Sequence, residues 1–129
     1  MEKRNLVEES QHAVFEPFTW ENKEENYEFV MTPKAVIYNP NITSIAKLAY
    51  QILLDRQMAS VNNHDESFLD EYGYYIIYQR EDLAKNMSTS ERTTTRALTE
   101  LKEKGLIEVK KGRKGTPQII YVCKPTYFI

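Results

Sequence analysis

Arg92, Thr95, Arg96, Thr99 and Lys102 fall at every third or fourth position of one short stretch of this chain. On a helix that spacing gathers guanidinium, hydroxyl and ammonium groups on a single face. The chemistry they share is hydrogen bonding to phosphate and carbonyl oxygens. An arginine fork in particular matches a phosphate or the edge of a guanine bidentately.

A helix is the element that must position them, and the residues between them supply its other face. Thr94, Ala97, Leu98 and Leu101 are apolar or small and share the opposite side. Ser88-Thr89-Ser90 offers a start signal and Gly105 a stop. Across Ile77 to Val109 the pattern reads as two helices joined by a short polar turn, a helix-turn-helix. A helix with one oily side and one side of arginine and hydroxyls suits a DNA groove. Ser90, Arg92, Thr93, Thr95 and Arg96 occupy its opening turns, where recognition helices read bases, with Arg92 and Arg96 the best base readers. Ser88 and Lys102 complete the DNA-facing set expected on this unit.

Beyond Gly105 the period changes from helical to alternating. Leu106, Ile107 and Val109 lead into Lys110-Lys-Gly-Arg-Lys-Gly115, and Ile119, Ile120, Tyr121 and Val122 follow. Two strands around a basic, glycine-bearing tip make a wing. Lys111, Arg113 and Lys114 at that tip suit phosphates or a minor groove, because a flexible tip carries charge better than it holds a fixed base contact.

Net charge divides along the same line. Residues 1–75 hold 6 Lys and Arg against 13 Asp and Glu, a net of -7, while residues 76–129 hold 11 against 6, a net of +5. The positive half is the half with the helix-turn-helix, as a phosphate-binding face requires.

Upstream, residues 1–26 mix acidic residues with Phe15, Phe18 and Trp20 in no helical or alternating period, which predicts an irregular arm. Its aromatics should pack on the domain or on a second copy, and as interface anchors they make the arm the expected dimer surface. Tyr27-Glu-Phe-Val-Met31 suggests a short strand. Thr32-Pro33 interrupts it, since the residue before proline is pushed to extended angles. Ala35 to Tyr38 form an apolar patch. Thr43-Ser44 then offers a cap for a core helix, with Ile45, Leu48, Ala49, Ile52 and Leu53 repeating through roughly Met58. Tyr74-Tyr-Ile-Ile-Tyr78 has the composition of a strand. The resulting order predicts an α+β fold, a winged helix-turn-helix over residues 27–129 with a small three-stranded antiparallel sheet and the N-terminal arm in front.

Other chemistries find little support. His64-Asp65-Glu66 is the one place where a histidine adjoins carboxylates, and in a polar loop such neighbours are usually only solvated. There is no glycine-rich phosphate loop, no paired-histidine helix and no Cys/His arrangement, so an enzyme, a metal site and a cofactor are not expected. Cys123 is the single cysteine, which rules out an internal disulfide and fits a reducing compartment. No run approaches the roughly 20 apolar residues of a membrane span, and the N-terminus lacks a secretory core, so a cytoplasmic protein is expected.

Four segments narrow the reading: Ala46-Lys-Leu-Ala-Tyr-Gln-Ile-Leu-Leu-Asp-Arg56, Ser60-Val-Asn-Asn63, Asp70-Glu-Tyr-Gly73 and Tyr75-Ile-Ile-Tyr78. Through them, and over roughly residues 27 to 123, the chain resembles the N-terminal domain of RepA-type plasmid replication initiators of Gram-positive bacteria. The resemblance implies a winged helix that binds repeated sites in a double-stranded plasmid origin. It also implies a homodimer, origin pairing as a copy-number control, and a C-terminal domain beyond these 129 residues that engages host replication proteins. A winged-helix transcriptional regulator would present the same DNA-facing residues, and a protein-binding winged helix would more often cover that face with apolar ones.

Overall fold

The computed structural model describes residues 6–24, 28–111 and 118–126. In chain order these form α1 (Leu6–Gln11), α2 (Lys34–Ile37), α3 (Ser44–Asn62), a 3-10 turn (Glu66–Phe68), β1 (Leu69–Asp70), β2 (Gly73–Tyr74), α4 (Arg80–Asn86), α5 (Glu91–Glu103), β3 (Ile107–Lys110) and β4 (Ile119–Val122).

The longest element, α3, starts where the Thr43 hydroxyl accepts a hydrogen bond from the Ala46 amide at 3.3 Å, satisfying one of the donors that a helix start leaves over. Ala46, Ala49, Tyr50 and Leu53 recur at helical spacing and are fully buried, forming one core with Leu83 of α4, Ala97 and Leu101 of α5, and Ile107, Ile120 and Val122 of the strands. Two polar side chains on the same helix reach the wing. The Tyr50 hydroxyl donates to the Cys123 carbonyl at 2.7 Å, and burial, then the nearby Cys123, push its pKa up to about 12. Gln57 acts as a substitute strand: its Nε2 donates to the Val122 carbonyl and its Oε1 accepts from the Val122 amide, both at 2.8 Å. A buried amide satisfied on both sides fixes the register of α3 against β4 as apolar packing alone would not.

β3 and β4 pair antiparallel from Ile107↔Val122 to Lys110↔Ile119, and β1 and β2 form a second ladder at Leu69↔Tyr74 and Asp70↔Gly73. Gly73 has φ +136, a backbone angle that side chains rarely tolerate, so the tight hairpin requires glycine there. Of the strand expected over Tyr74 to Tyr78, Tyr74 ends β2 and Ile76 forms a single bridge. The Tyr75 amide bonds the Phe68 carbonyl at 2.9 Å beside the β1–β2 ladder, while Ile76 exchanges bonds of 2.8 and 2.9 Å with Ile120 of the β3–β4 ladder. A segment shared between two ladders lengthens neither, so the expected three-stranded sheet is a two-stranded wing with a bridging residue at its edge. Asp70 ties the two parts together by accepting from the Tyr121 hydroxyl, which holds the Asp70 carboxyl below its ordinary range and pushes Tyr121 up to about 12.

The N-terminal segment departs from expectation as well. Residues 6–11 are helical rather than irregular, and residues 28–31, expected as a strand, belong to no regular element. Phe15, Phe18 and Trp20 are 88, 72 and 81% exposed, and Lys23 lies over the Trp20 ring at 4.4 Å. Ala35 to Tyr38 gain a turn of helix, α2, which buries Val36 in the core. No helix among the described residues is long and apolar enough to cross a membrane.

Candidate nucleic-acid interface

α4 and α5 form the helix-turn-helix that the spacing predicts, and its turn is built by side chains and backbone together. α4 closes with the Thr89 amide bonded to the Ala84 carbonyl at 3.0 Å and the Ser88 amide to Lys85 at 3.1 Å. That pattern needs a left-handed residue, and Ser88 supplies it with φ 55, whereas α5 ends in the same way on Gly105 with φ +78. Ser90 then caps α5: its Oγ accepts from the Thr93 amide at 3.1 Å and donates to the Thr93 hydroxyl at 3.0 Å.

Four sides of α5 can be told apart. Thr94, Ala97 and Leu101 form the buried stripe, with the Thr94 hydroxyl satisfied by the Ser90 carbonyl at 2.9 Å. Diametrically opposite, Arg92, Arg96 and Thr99 form an exposed crest. Arg92 and Arg96 make no hydrogen bond or ion pair with any described residue, so none of these residues occupies their guanidinium donors. One flank carries Thr93, half-buried, and Glu100, which reaches the head of α3. Glu100 takes the Thr43 amide at 2.8 Å and the Thr43 hydroxyl at 2.7 Å, with Lys104 at 3.3 Å. Burial works to raise its pKa, but the Thr43 and Lys104 contacts outweigh that and hold its carboxyl below the ordinary value.

On the other flank Glu91, Thr95 and Lys102 border a groove of about 580 Å³ whose far side is the base of the wing, at Val109 and Gln118, and whose floor includes Ile77, Leu98 and Ile120. Here the sequence reading missed a residue. Arg80, at the first position of α4, extends across to α5 and donates from Nη1 to the Thr95 hydroxyl at 3.2 Å. Thr95 in turn donates to the Glu91 carbonyl at 2.9 Å. Its proton and one lone pair are therefore both occupied.

The predicted set thus divides. Arg92 and Arg96 sit together on the crest, and Lys102 lies along the groove flank; all three are exposed. Ser88 and Ser90 shape the turn and the cap, Thr93 is half-buried beside Ser90, and Thr95 anchors Arg80. Lys111 is exposed at the end of β3, and Arg113 and Lys114 fall outside the described residues. Glu100 and Arg80 carried no local signal, because their partners, at Thr43 and Thr95, are set by how helices cross.

The comparisons place this geometry among known proteins. Residues 28–127 match the family model described as the N-terminus of replication initiator protein A (RepA). No curated protein sequence matches. Among solved structures, one described as the N-terminal domain of a DNA-binding protein is 30% identical over 89% of this chain and 88% of that one, with a TM-score of 0.64. A second, from a Rep–DNA complex, is 31% identical over 88% of each chain with a TM-score of 0.65. A third, an MDR initiator, is 30% identical over 88% of this chain and 89% of that one, with a TM-score of 0.63. With its winged helix-turn-helix and a family match over most of its length, this chain belongs to the RepA N-terminal family of replication initiators.

Proposed function

We propose that this chain is the DNA-binding domain of a plasmid replication initiator, and that it docks α5 in the major groove of duplex origin DNA. The observation that carries the reading is the crest of α5, where Arg92 and Arg96 stand exposed with their donors unused among the described residues, opposite a stripe that the fold has already buried. Arginine fits the guanine edge bidentately, so these two read bases. Lys111, with Arg113 and Lys114 beside it in the sequence, meets phosphates from the wing. The relative solved in a Rep–DNA complex supports the same use of the fold. The chain acts by binding, not by catalysis, inside the cell that carries the plasmid.

The domain works as a dimer on repeated sites, with the exposed Phe15, Phe18 and Trp20 as interface anchors, since aromatic residues are enriched at interface centres. Footprinting on the DNA that flanks the gene tests the first part. Protection of discrete repeats is expected, and uniform or absent protection overturns it. Sedimentation of a chain beginning at residue 27, at equal concentration, tests the second. An undiminished dimer would remove the arm from the interface and leave the DNA reading intact.

A further inference from the structure

We infer that Arg80 is a phosphate contact on the wall of the DNA groove that α5 enters, held in position by Thr95. The inference rests on the reading of α5 as a major-groove helix. An α-helix with side chains is about 10–12 Å across and the major groove about 12 Å wide, so a helix lying in it meets base edges with its crest and the sugar-phosphate walls with its flanks. Arg92 and Arg96 hold the crest. Arg80 lies on a flank: its guanidinium reaches the Thr95 hydroxyl at 3.2 Å, on the side of α5 that faces the wing.

The donor count at this contact points the same way. The Thr95 hydroxyl proton goes to the Glu91 carbonyl, so Thr95 offers Arg80 a lone pair and is left with little to offer a base. Arg80 gives one of its five N–H donors to Thr95 and shares the rest with no described residue, on an exposed side chain fixed at both ends. Lys102 borders the same groove further along α5, and Gln118 stands across it on the wing, so one strand's backbone would run between helix and hairpin. Glu81 and Glu91 also line that groove and lower its positive field. Binding there depends on placed donors rather than on general attraction.

The test uses the full chain, a duplex selected by it from a random-sequence pool, and a scrambled version of that duplex, titrated over a range of salt. Arg80→Met should weaken both duplexes alike and reduce the slope of log affinity against log salt by about 0.9, the signature of one lost phosphate contact. Thr95→Val should weaken both duplexes less, and should add nothing in the Arg80→Met background, because its effect passes through the arginine. An unchanged slope in Arg80→Met overturns the inference, as does a loss confined to the selected duplex, which would make Arg80 a base reader. A full, additive Thr95→Val loss would also overturn it. Arg92→Ala serves as the separate control: if it too leaves the selected duplex tightly bound, the major-groove reading of α5 has failed, and not the assignment of Arg80 alone.

Discussion

α3 and α5 pack against each other in the core and share their construction, each capped by a hydroxyl, Thr43 or Ser90, and each closed by a left-handed residue, His64 or Gly105. They differ in how much of their circumference the fold uses. Most of α3 is buried or half-buried, with Tyr50 and Gln57 spanning to the wing, whereas α5 buries one stripe and leaves a whole crest in water. The lesson is that α3 is specified by its neighbours on most sides, while the crest of α5 carries residues for which folding has no use. Arginines in such a place are free to answer to a partner outside the chain.

The largest expected effect tests the α3 side of that contrast. Leu53 is fully buried at the centre of the core, so Leu53→Ala should cost about 2–5 kcal/mol of stability through lost burial and a residual cavity. Chemical denaturation measures this, and the DNA affinity of the folded protein should stay as it was. A loss well under 1 kcal/mol would mean that the site collapses and that α3 is not the frame of the core.

The α5 side should behave in the opposite way. Arg92→Ala or Arg96→Ala should leave the melting temperature in place and cost about 1–3 kcal/mol of binding, with relaxed preference between selected and scrambled duplexes. Melting curves beside binding titrations separate the two quantities. If either mutant unfolds early yet binds normally once folded, the crest belongs to the fold and the contrast between the helices disappears.

Legibility in the sequence followed the same contrast. Helix α5 could be read closely because its pattern is one-sided: Thr94, Ala97 and Leu101 announce a face without knowledge of what covers it. The core of α3 was legible from Ile45 onward except at Leu48, which is exposed, but its end at Asn62, beyond the expected Met58, was not, since Ala59 to Asn62 carry no strong period. Tyr74 to Tyr78 have strand composition, and composition is silent about Ile76 being drawn to Ile120 while Tyr75 stays with Phe68. At the site, residue type pointed to Arg92 and Arg96, which the fold leaves exposed, and to hydroxyls, whose use within the fold it did not foresee. Ser90, Thr95 and Thr99 all donate to neighbours within the helix or its cap, an alternative open to serine and threonine wherever backbone carbonyls are near. Arg80 could not be found, because it acts fifteen residues away, across a helix crossing.

Ser90 sharpens the comparison at a smaller scale. The sequence reading gave it to DNA, and the structure uses its oxygen to satisfy the Thr93 amide. Ser90→Ala should therefore cost about 1 kcal/mol of stability as a lost cap. Ser90→Asp, which keeps a capping oxygen and adds negative charge, should retain stability. It should weaken DNA binding only as one charge near the phosphates would. A Ser90→Ala variant with full stability and lost sequence preference would return Ser90 to the base-reading set.

The smallest effect lies where the two helices meet. Glu100 of α5 holds the Thr43 amide and hydroxyl at the head of α3, and these contacts, with Lys104, outweigh burial to hold its pKa below the ordinary 4.5. With the folded value below the unfolded one, the unfolded chain takes up the proton first as pH falls. The stabilisation is thus fully present above about pH 4.5 and is lost as the pH drops through the folded value. Asp70 adds a term of the same sign through Tyr121, so acid alone does not isolate Glu100. Glu100→Gln does, because it removes this titration and leaves that of Asp70. Its melting temperature should fall less steeply than that of the unaltered chain on acidification from pH 5 to pH 3, values chosen to bracket roughly the carboxylate range. Parallel curves would mean that the carboxylate is no better held in the folded chain than in the unfolded one. Glu100 faces α3 and not the crest, so at neutral pH the same substitution should leave duplex affinity per folded molecule unchanged. A change there would show that the junction of the helices also sets the angle at which α5 meets DNA.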